Sequence, residues 1–227
     1  NEAALGRAFA SGGSPRDEFF VTTKLWGDDQ GAATTAPALQ ASLDRLGMDF
    51  VDLYLIHWPH AGQDRYVETW NAMEDLAERG LARSIGVSNF TIENLERVIE
   101  ASSTVPAVNQ IELHPLLQQR ELTAFGEALG IRTEAWGPLG QGKADLAVET
   151  PVLAEIAAAH GATLAQVVLA WHLAEGRIIF PKSTKVERMR ENLAAVELTL
   201  TADDLAAIDA VNQNRRLATD PVEFAFP

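Results

Sequence analysis

The sequence predicts an α/β protein built on a parallel sheet, of the (β/α)8 barrel class. Short runs rich in β-branched and aromatic residues alternate with amphipathic helical stretches along the whole chain. Alternation with short connections is typical of right-handed βαβ units. No Pro/Gly/Ser-rich linker or low-complexity tract interrupts the pattern, so we expect a single domain over residues 1–227. Barrels of this class commonly form one domain near this length.

The order of the elements also predicts an incomplete barrel. Strands are expected at 18–24, 50–57, 83–88, 107–113, 131–136 and 177–181. Helices are expected near 34–46, 66–79, 91–101, 117–129, 151–174 with a break at Gly161, 185–194 and 201–212, and residues 1–10 have a helical pattern. A closed barrel has eight strands. Because the count is two short and the sequence begins in a helix, we expect the first two strands and first helix to be absent from this chain.

The amino-acid composition of the chain disfavours several classes of binding partner. The chain has 18 basic and 32 acidic residues, a net charge of −14, which disfavours nucleic acid and anionic membrane surfaces. It has no cysteine, which excludes disulfides and thiolate metal sites. No apolar run reaches the length of a membrane span. We expect a cytoplasmic protein with a small-molecule substrate and without nucleic-acid or membrane partners. Its oligomeric state is left open, with a monomer favoured.

Two residues with reactive side chains end predicted strands. Lys24 shares a strand face with Phe20, and His57 shares one with the apolar residues of its own strand, because side chains alternate along a strand. Barrel enzymes build active sites at the carboxyl ends of their strands. We therefore expect Lys24 and His57 to face one central cavity. Trp26 and Trp58 follow them and favour an apolar substrate pocket, although core packing explains these tryptophans equally well.

Lys24 and His57 each have a structural alternative. Lys24 could be a solvated lysine at a strand end rather than a buried ammonium that lowers the pKa of an acid or forms a Schiff base. His57 could be a hydrogen-bonded core histidine. The other four histidines are expected to be structural or exposed. No pair of them has metal-ligand spacing, so no metal site is expected.

Positive charge is concentrated between the last predicted strand and the helix that follows it. Lys182, Lys185, Arg188 and Arg190 lie near that helix N-terminus, where each cation costs about 0.3–1 kcal/mol unless an anion is bound. In an acidic chain this favours a phosphate site. The alternative is an ordinary charged helix face whose glutamates pair locally. The chain has no glycine-rich dinucleotide turn, which argues against a Rossmann-type site.

The same segment carries a predicted helix start. Thr184 and Glu187 have the spacing of a capping box, which would begin the helix there. Lys185, Arg188 and Asn192 follow i, i+3, i+7 spacing and are expected to share one helix face.

Polar and aromatic residues end three other predicted strands. Ser88 and Asn89 close one strand, Gln110 lies in the next, and Trp136 ends the third. A hydroxyl and two amides suit a carboxamide group, and an aromatic face can stack on a planar ring. Polar residues also occur at strand ends without any such role, so each of these signals is weak alone.

Five segments together resemble the aldo-keto reductases. They occur in that family's order and rough spacing over essentially the whole chain: Thr23-Lys24-Leu25-Trp26, Asp52-Leu53-Tyr54-Leu55-Ile56-His57-Trp58-Pro59, Ile85-Gly86-Val87-Ser88-Asn89-Phe90, Asn109-Gln110-Ile111-Glu112-Leu113-His114-Pro115 and Pro181-Lys182-Ser183. An ordered set of this kind is specific where a single segment is not. The segment Gly137-Pro138-Leu139-Gly140-Gln141-Gly142-Lys143 looks most like the bacterial 2,5-diketo-D-gluconate reductase branch.

The resemblance implies a (β/α)8 barrel that reduces aldehydes or ketones, α-dicarbonyls and keto sugars among them, with hydride from NADPH. The family's catalytic tetrad is Asp, Tyr, Lys and His, and Lys24 and His57 match the last two. Lys24 would lower the pKa of the tyrosine that protonates the carbonyl oxygen, and His57 would orient or polarise the carbonyl. Asn1 and Glu2 match the helix start that follows this tyrosine. We therefore expect the Tyr about two residues before Asn1, and the Asp a few residues further back.

The residues implied to bind NADPH or NADP+ fall into two groups. Lys182, Ser183, Arg188 and Asn192 would hold the adenosine 2′-phosphate and the adenine end. Ser88, Asn89 and Gln110 would bind the nicotinamide carboxamide, with Trp136 stacked on the ring. Gly137, Leu139, Thr184 and Glu191 complete the expected set. Trp26 and Trp58 would line the substrate pocket, and substrate specificity would lie largely in loops and in the C-terminal tail, residues 215–227.

Two alternatives to a carbonyl reductase are retained. The first is a non-catalytic, cofactor-binding or structural member of the family, since the chain lacks the expected Asp and Tyr and would then lack full activity. The second is a lyase that forms a Schiff base on Lys24. The basic helix segment and His57-Trp58-Pro59 disfavour the lyase.

Overall fold

The computed structural model describes residues 1–224 as alternating helices and strands. The strands are β1 (Thr22–Leu25), β2 (Val51–Ile56), β3 (Ala82–Ser88), β4 (Val108–Glu112), β5 (Arg132–Trp136) and β6 (Ile178–Ile179). The helices are α1 (Glu2–Gly12), α2 (Thr35–Leu46), α3 (Tyr66–Glu78), α4 (Ile92–Glu100), α5 (Arg120–Ala128), α6 (Leu146–Glu149), α7 (Pro151–His160), α8 (Leu164–Ala174), α9 (Val186–Leu193) and α10 (Ala202–Asp209).

The strands form one sheet in chain order. The pairs β1–β2, β2–β3 and β5–β6 are parallel. In the first pair, Lys24 lies opposite Leu55 and Leu25 lies opposite Ile56. A parallel sheet whose successive strands are joined through helices is the arrangement that βαβ units produce. The α/β prediction is confirmed.

Two compact units make up the described chain. The first contains residues 1–109, 129–131 and 221–224, and the second contains residues 110–128 and 132–220. Each has its own buried apolar residues. The expectation of one domain over the whole chain stays a prediction.

In the first unit, the inner face of the sheet is apolar. Leu53, Leu55 and Val108 form one buried cluster. On the helical side, Trp70 of α3 is fully buried, and its indole N–H donates to Ser102 Oγ at 2.9 Å. Burial of a tryptophan with its N–H satisfied stabilises this layer without leaving a polar atom unpaired.

In the second unit, α7 and α8 supply most of the core. Leu153, Val167 and Trp171 are fully buried there, and the Trp171 indole donates to Asp209 at 3.2 Å. Gly161 ends α7 in a left-handed conformation (φ 61°), as the predicted break requires. Within residues 1–224, no single helix is long and apolar enough to cross a membrane. Helices α7 and α8, which are bent by 92° relative to each other, are together long and apolar enough, by length and composition only.

Two strands are shorter than predicted. β1 begins at Thr22 because Arg16–Glu18 form a 3-10 turn, and Phe20, which precedes the strand, is 72% exposed. The prediction that Phe20 belongs to the strand face of Lys24 is therefore wrong. β6 contains only Ile178–Ile179. Its expected end at Pro181 lacks an N–H and cannot extend a ladder.

The helix start predicted at Thr184 is also wrong. Lys185 is the N-cap of α9, and no side chain caps the helix. Instead, the Lys185 N–H donates to Ser183 Oγ at 3.1 Å in a local turn. With Lys185 rather than Thr184 at the N-cap, Thr184 and Glu187 no longer have the N-cap and N3 positions of a capping box.

A buried carboxylate fastens the start of β2. Asp52 accepts the Val21 N–H at 2.8 Å and contacts Arg16 at 2.7 Å and Arg83 at 3.1 Å. Both guanidinium groups also lie over the ring of Phe50, at 4.3 and 4.1 Å from its centroid. Burial raises the pKa of Asp52, but the hydrogen bonds and the charges of both arginines outweigh it, and the pKa is lowered. The ionised carboxylate is thus the stable form.

Substitution of Asp52→Ala is expected to lower the free energy of unfolding by about 1.5–3 kcal/mol, the usual value of hydrogen bonds to a charged group. Urea denaturation followed by circular dichroism measures this. Asp64→Ala is the matched control, since Asp64 also contacts an arginine, Arg97, at 2.7 Å but on the exposed surface. Its denaturation midpoint should hardly move. Equal shifts for the two variants would contradict a special role of Asp52.

Candidate active site

Lys24 lies on the apolar inner face of the sheet. Its partner in the register is Leu55, and Thr22 lies opposite Leu53. Both leucines belong to the buried cluster of the first unit. The alternation of the strand therefore placed Lys24 correctly, next to core residues and at the carboxyl end of β1.

His57 follows β2 directly and lies near Lys24. The backbone N–H of His57 donates to the carbonyl of Leu25 at 3.2 Å, and the centroid of its imidazole ring is 5.0 Å from the ring centroid of Trp26. Lys24, Trp26 and His57 line one cavity of about 490 Å³, which we call the reactive cavity. Thr22, Thr23, Asp29 and Tyr54 line it as well.

His57 is neutral at physiological pH. Burial, followed by the positive charge of Lys24 and then His60, lowers the pKa of His57 to about 4. A neutral imidazole has one N–H that can donate to an oxygen and one nitrogen that can accept. Burial is the larger cause, and the charge of Lys24, which lines the same cavity, acts on the ring in the same direction.

Ser88 and Asn89 lie beside the backbone of His57. Both are buried, and Asn89 Nδ2 donates to the carbonyl of His57 at 3.0 Å and to Ser88 Oγ at 3.2 Å. Asn89 adopts a left-handed conformation with φ of 63°, which asparagine tolerates better than most residues. Asn89 thus fixes the residue after β2, a contact that the sequence did not predict.

In the second unit, Gln110 lies in the middle of β4 and Trp136 ends β5. Gln110 is buried, and its Nε2 donates to Glu134 at 2.8 Å. The Leu113 N–H donates to the carbonyl of Trp136 at 3.3 Å. Glu134 was not predicted as a neighbour of Gln110, since nothing in the sequence relates two residues on separate strands.

Two of the predicted phosphate-binding cations share a pocket in the second unit. Lys182 and Arg188 line a pocket of about 550 Å³, which we call the basic pocket. Its other lining residues are Gly137, Pro138, Leu139, Gln141, Gly142, Phe180 and Pro181. None of these nine residues carries a carboxylate, in a chain of net charge −14. The donor set therefore fits an anionic group such as a phosphate.

The remaining predicted residues of this segment have local contacts. Asn192 Nδ2 donates to the carbonyl of Pro181 at 3.3 Å, which ties α9 to the chain before it. The Glu191 carbonyl accepts from Gln166 of α8 at 3.2 Å. Thr184 lies in the turn before α9, exposed to solvent.

The C-terminal tail adds an aromatic residue to the first unit. The ring of Phe224 stacks on Trp58 with centroids 4.1 Å apart and planes inclined by 16°, and it lies 5.4 Å from the ring of His60. The sequence predicted that the tail contributes to substrate specificity, but it did not single out Phe224 as a residue of the tail that contacts Trp58. Residues 225–227 lie outside the described residues.

Neither tyrosine is placed as a proton donor. Tyr54 lies opposite Thr23 in the register, so its side chain is on the other face of the sheet from Lys24 and lines the reactive cavity from that side with Thr23. It is fully buried, and burial followed by nearby carboxylates raises its pKa. Tyr66 begins α3 and packs edge-on against Phe90 at 5.4 Å.

The other histidines lie outside any metal-like cluster. His60, His114 and His172 are buried, and His160 contacts Asp204 at 2.8 Å. Among residues 1–224, no three His, Cys, Asp or Glu side chains are grouped so that they could hold a metal ion.

The sheet with its strands in chain order and helices between them is consistent with a (β/α)8 barrel. Residues 1–213 match the Aldo/keto reductase family, and the chain belongs to that family.

Relatives of known sequence and structure resemble almost the entire chain. It is 47% identical over 226 residues to an aldo-keto reductase of Mycolicibacterium smegmatis, covering 100% of this chain and 81% of the relative. It is 45% identical over 224 residues to the methylglyoxal reductase DkgA of Yersinia pestis, covering 99% and 80%. A solved structure of a Gox0644 mutant in complex with NADPH has a TM-score of 0.93 and 44% identity, covering 100% and 81%.

The low pKa of His57 predicts that this residue contributes to acid sensitivity. An unfolded chain binds a proton at His57 near its usual pKa of 6.5, while the folded protein keeps the ring neutral down to about 4. Lowering the pH through that window therefore favours the unfolded state. His57→Gln does not titrate, so its melting temperature should fall less than that of the wild type between pH 6.5 and 4. Parallel curves for the two proteins would contradict the assignment.

Proposed function

We propose that the protein is an NADPH-dependent reductase that converts aldehydes and ketones to alcohols. Its membership of the aldo/keto reductase family supports an oxidoreductase of this kind. The relative bound to NADPH and the relative that reduces methylglyoxal support the cofactor and the carbonyl substrate. The observation that carries the proposal is the reactive cavity, where the charge of Lys24 acts on a neutral His57.

The proposed chemistry divides between cofactor and protein. When bound, NADPH supplies the hydride that reduces the carbonyl carbon. His57 donates its imidazole N–H to the carbonyl oxygen, which orients the substrate and withdraws electron density from the carbon. Lys24 places a positive charge beside this oxygen. That charge stabilises the developing alkoxide and would lower the pKa of the tyrosine hydroxyl that the family resemblance implies, which gives this oxygen the proton that completes the alcohol.

Two tryptophans flank His57, and one of them, Trp26, lines the reactive cavity. The ring centroids of Trp26 and Trp58 lie 5.0 and 6.3 Å from that of the imidazole. We assign them to the substrate pocket, where large apolar rings exclude water and so strengthen the electrostatic action of Lys24. Phe224, stacked on Trp58, extends this wall from the tail.

The basic pocket is the proposed site of the adenosine 2′-phosphate. Lys182 and Arg188 supply the charge, and an arginine can bind two phosphate oxygens at once. Ser183 and Asn192 lie beside them, and Gly137, Leu139, Thr184 and Glu191 complete the proposed set for this end of the cofactor. Ser88, Asn89 and Gln110 are the proposed ligands of the nicotinamide carboxamide, with Trp136 against the ring.

More specific proposals about the fold, the branch of the family and the substrate follow from membership of this family. The six parallel strands support a (β/α)8 barrel, and the segment 137–143, together with the likeness to a methylglyoxal reductase, supports the 2,5-diketo-D-gluconate reductase branch. We propose α-dicarbonyls and keto sugars as candidate substrates on that ground. A cytoplasmic location and a monomeric state stay predictions.

Arg188→Met should weaken NADPH binding by about 10- to 150-fold, the factor that corresponds to losing a charged hydrogen bond of about 1.5–3 kcal/mol. NADH lacks the 2′-phosphate, so its affinity should change little. Arg190→Met is the matched control, because Arg190 lies in the same helix and does not line the basic pocket. Fluorescence titration with both cofactors measures these affinities. An equal loss for NADPH and NADH would contradict the phosphate assignment, as would an equal loss in both variants.

Lys24→Met should lower kcat for a small aldehyde or α-dicarbonyl by about 100-fold or more. It should leave the dissociation constant of NADPH nearly unchanged, because Lys24 acts on the carbonyl oxygen. The loss of NADPH absorbance gives the rate, and fluorescence titration gives the affinity. A wild-type protein that binds NADPH but does not oxidise it with any such carbonyl would instead favour a non-catalytic member of the family.

A further inference from the structure

A buried carboxylate at the end of β4 holds the C-terminal tail. Glu112 is only 1% exposed, and its Oε1 accepts the backbone N–H groups of Leu217 at 2.7 Å and Ala218 at 3.3 Å. His114 Nε2 lies 3.1 Å from the same oxygen, and Arg216 lies 3.6 Å from the other. These residues all belong to the second unit.

The electrostatics of Glu112 keep it ionised. Burial raises its pKa, but the hydrogen bonds from His114 and Leu217 and the charges of His114 and Arg216 outweigh burial, and the pKa is lowered. A hydrogen bond to an ionised acceptor is about twice as strong as a neutral one. Glu112 is therefore a firm anchor for residues more than 100 positions away in the sequence.

The anchored tail contacts the segment that follows β5. Lys143 Nζ donates to the carbonyl of Leu217 at 3.2 Å. Leu217 Cδ1 lies against the backbone of Gly140, 3.4 Å from the position that a Cβ would take there. Leu217 thus touches the segment 137–143, which we call the β5 loop, through both its backbone and its side chain.

The β5 loop forms one wall of the basic pocket. Gly137, Leu139, Gln141 and Gly142 line it together with Lys182 and Arg188. Gly140, the residue that Leu217 touches, lies inside this run and has a φ of 73°. A left-handed glycine has few side-chain contacts of its own to hold it, so an external contact such as Leu217 can decide its position.

We propose that Glu112 is a positioning residue for the cofactor: through Leu217 it holds the β5 loop in the conformation that closes the basic pocket. The proposal rests on the proposed assignment of that pocket to NADPH. Glu112 itself touches neither the pocket nor the reactive cavity. Its effect is therefore expected on the affinity for the cofactor rather than on the chemical step.

Glu112→Gln tests this anchor, because glutamine keeps the size of the side chain and removes its charge. The dissociation constant of NADPH should rise by about 2- to 30-fold, the range reached by residues that act on a site through others. The value of kcat at saturating NADPH should change less than about twofold, since no interaction specific to the transition state is lost. In the cofactor-free protein, amide hydrogen exchange of residues 137–143 and 217–218 should accelerate.

Leu217→Ala tests the same chain of contacts without touching the carboxylate. It should also raise the dissociation constant of NADPH, and the double variant should be no weaker than the weaker single variant, since both break one linkage. If Glu112→Gln does not fold, the NADPH affinity of Leu217→Ala still tests the proposal. Glu149→Gln is the matched control: Glu149 also pairs with a tail arginine, Arg215, but it does not contact Leu217. Its NADPH affinity should match the wild type.

Two results separate this proposal from the pocket assignment. If Arg188→Met weakens NADPH binding while Glu112→Gln and Leu217→Ala do not, the positioning role of Glu112 is overturned and the basic pocket stands. If none of the three variants changes NADPH affinity, the pocket assignment itself has failed, and the positioning role fails with it. Additive losses in the double variant would also overturn the linkage.

Discussion

The parallel register of β1 and β2 places both reactive side chains. Lys24 lies opposite Leu55, and the backbone N–H of His57 donates a hydrogen bond to the carbonyl of Leu25. The two strands therefore end at the same level. Because side chains alternate along a strand, a slip of one residue would turn Lys24 to the other face, away from His57. The reactive cavity and the neutral state of His57 both depend on this register. The buried Asp52, which fastens the start of β2 to Val21, helps to hold it.

In this acidic chain, two buried carboxylates hold backbone segments in place, and two cations line a pocket that suits an anionic ligand. Asp52 and Glu112 each accept backbone N–H groups from distant segments, and both have lowered pKa values despite burial. One lies at the start of β2 and the other at the end of β4. Lys182 and Arg188, in contrast, line a pocket without a carboxylate among its residues. Charge is thus distributed so that fixed anions organise the backbone while exposed cations remain available to an anionic ligand.

The sequence predicted features that depend on local patterns. Strand alternation indicated which face of β1 carries Lys24, since the period of a strand is a property of its own backbone, and the register with Leu55 agrees. The capping box at Thr184 was wrong because Ser183–Lys185 form a local turn and the helix begins one residue later, with Lys185 as its N-cap. The short helix α6 was missed, as four residues carry too little periodicity to detect.

Features that depend on distant contacts could not be predicted. The Glu112 anchor joins β4 to the tail, and in the first unit the Trp58–Phe224 stack joins the segment after β2 to the tail. The pKa of His57 depends on burial, which no pattern in its own segment reports. The direct test of the proposed reaction uses NADPH deuterated at the transferred C4 position, with an α-dicarbonyl, and mass spectrometry of the product. The account predicts an alcohol with one deuterium on the former carbonyl carbon; an alcohol without deuterium would contradict it.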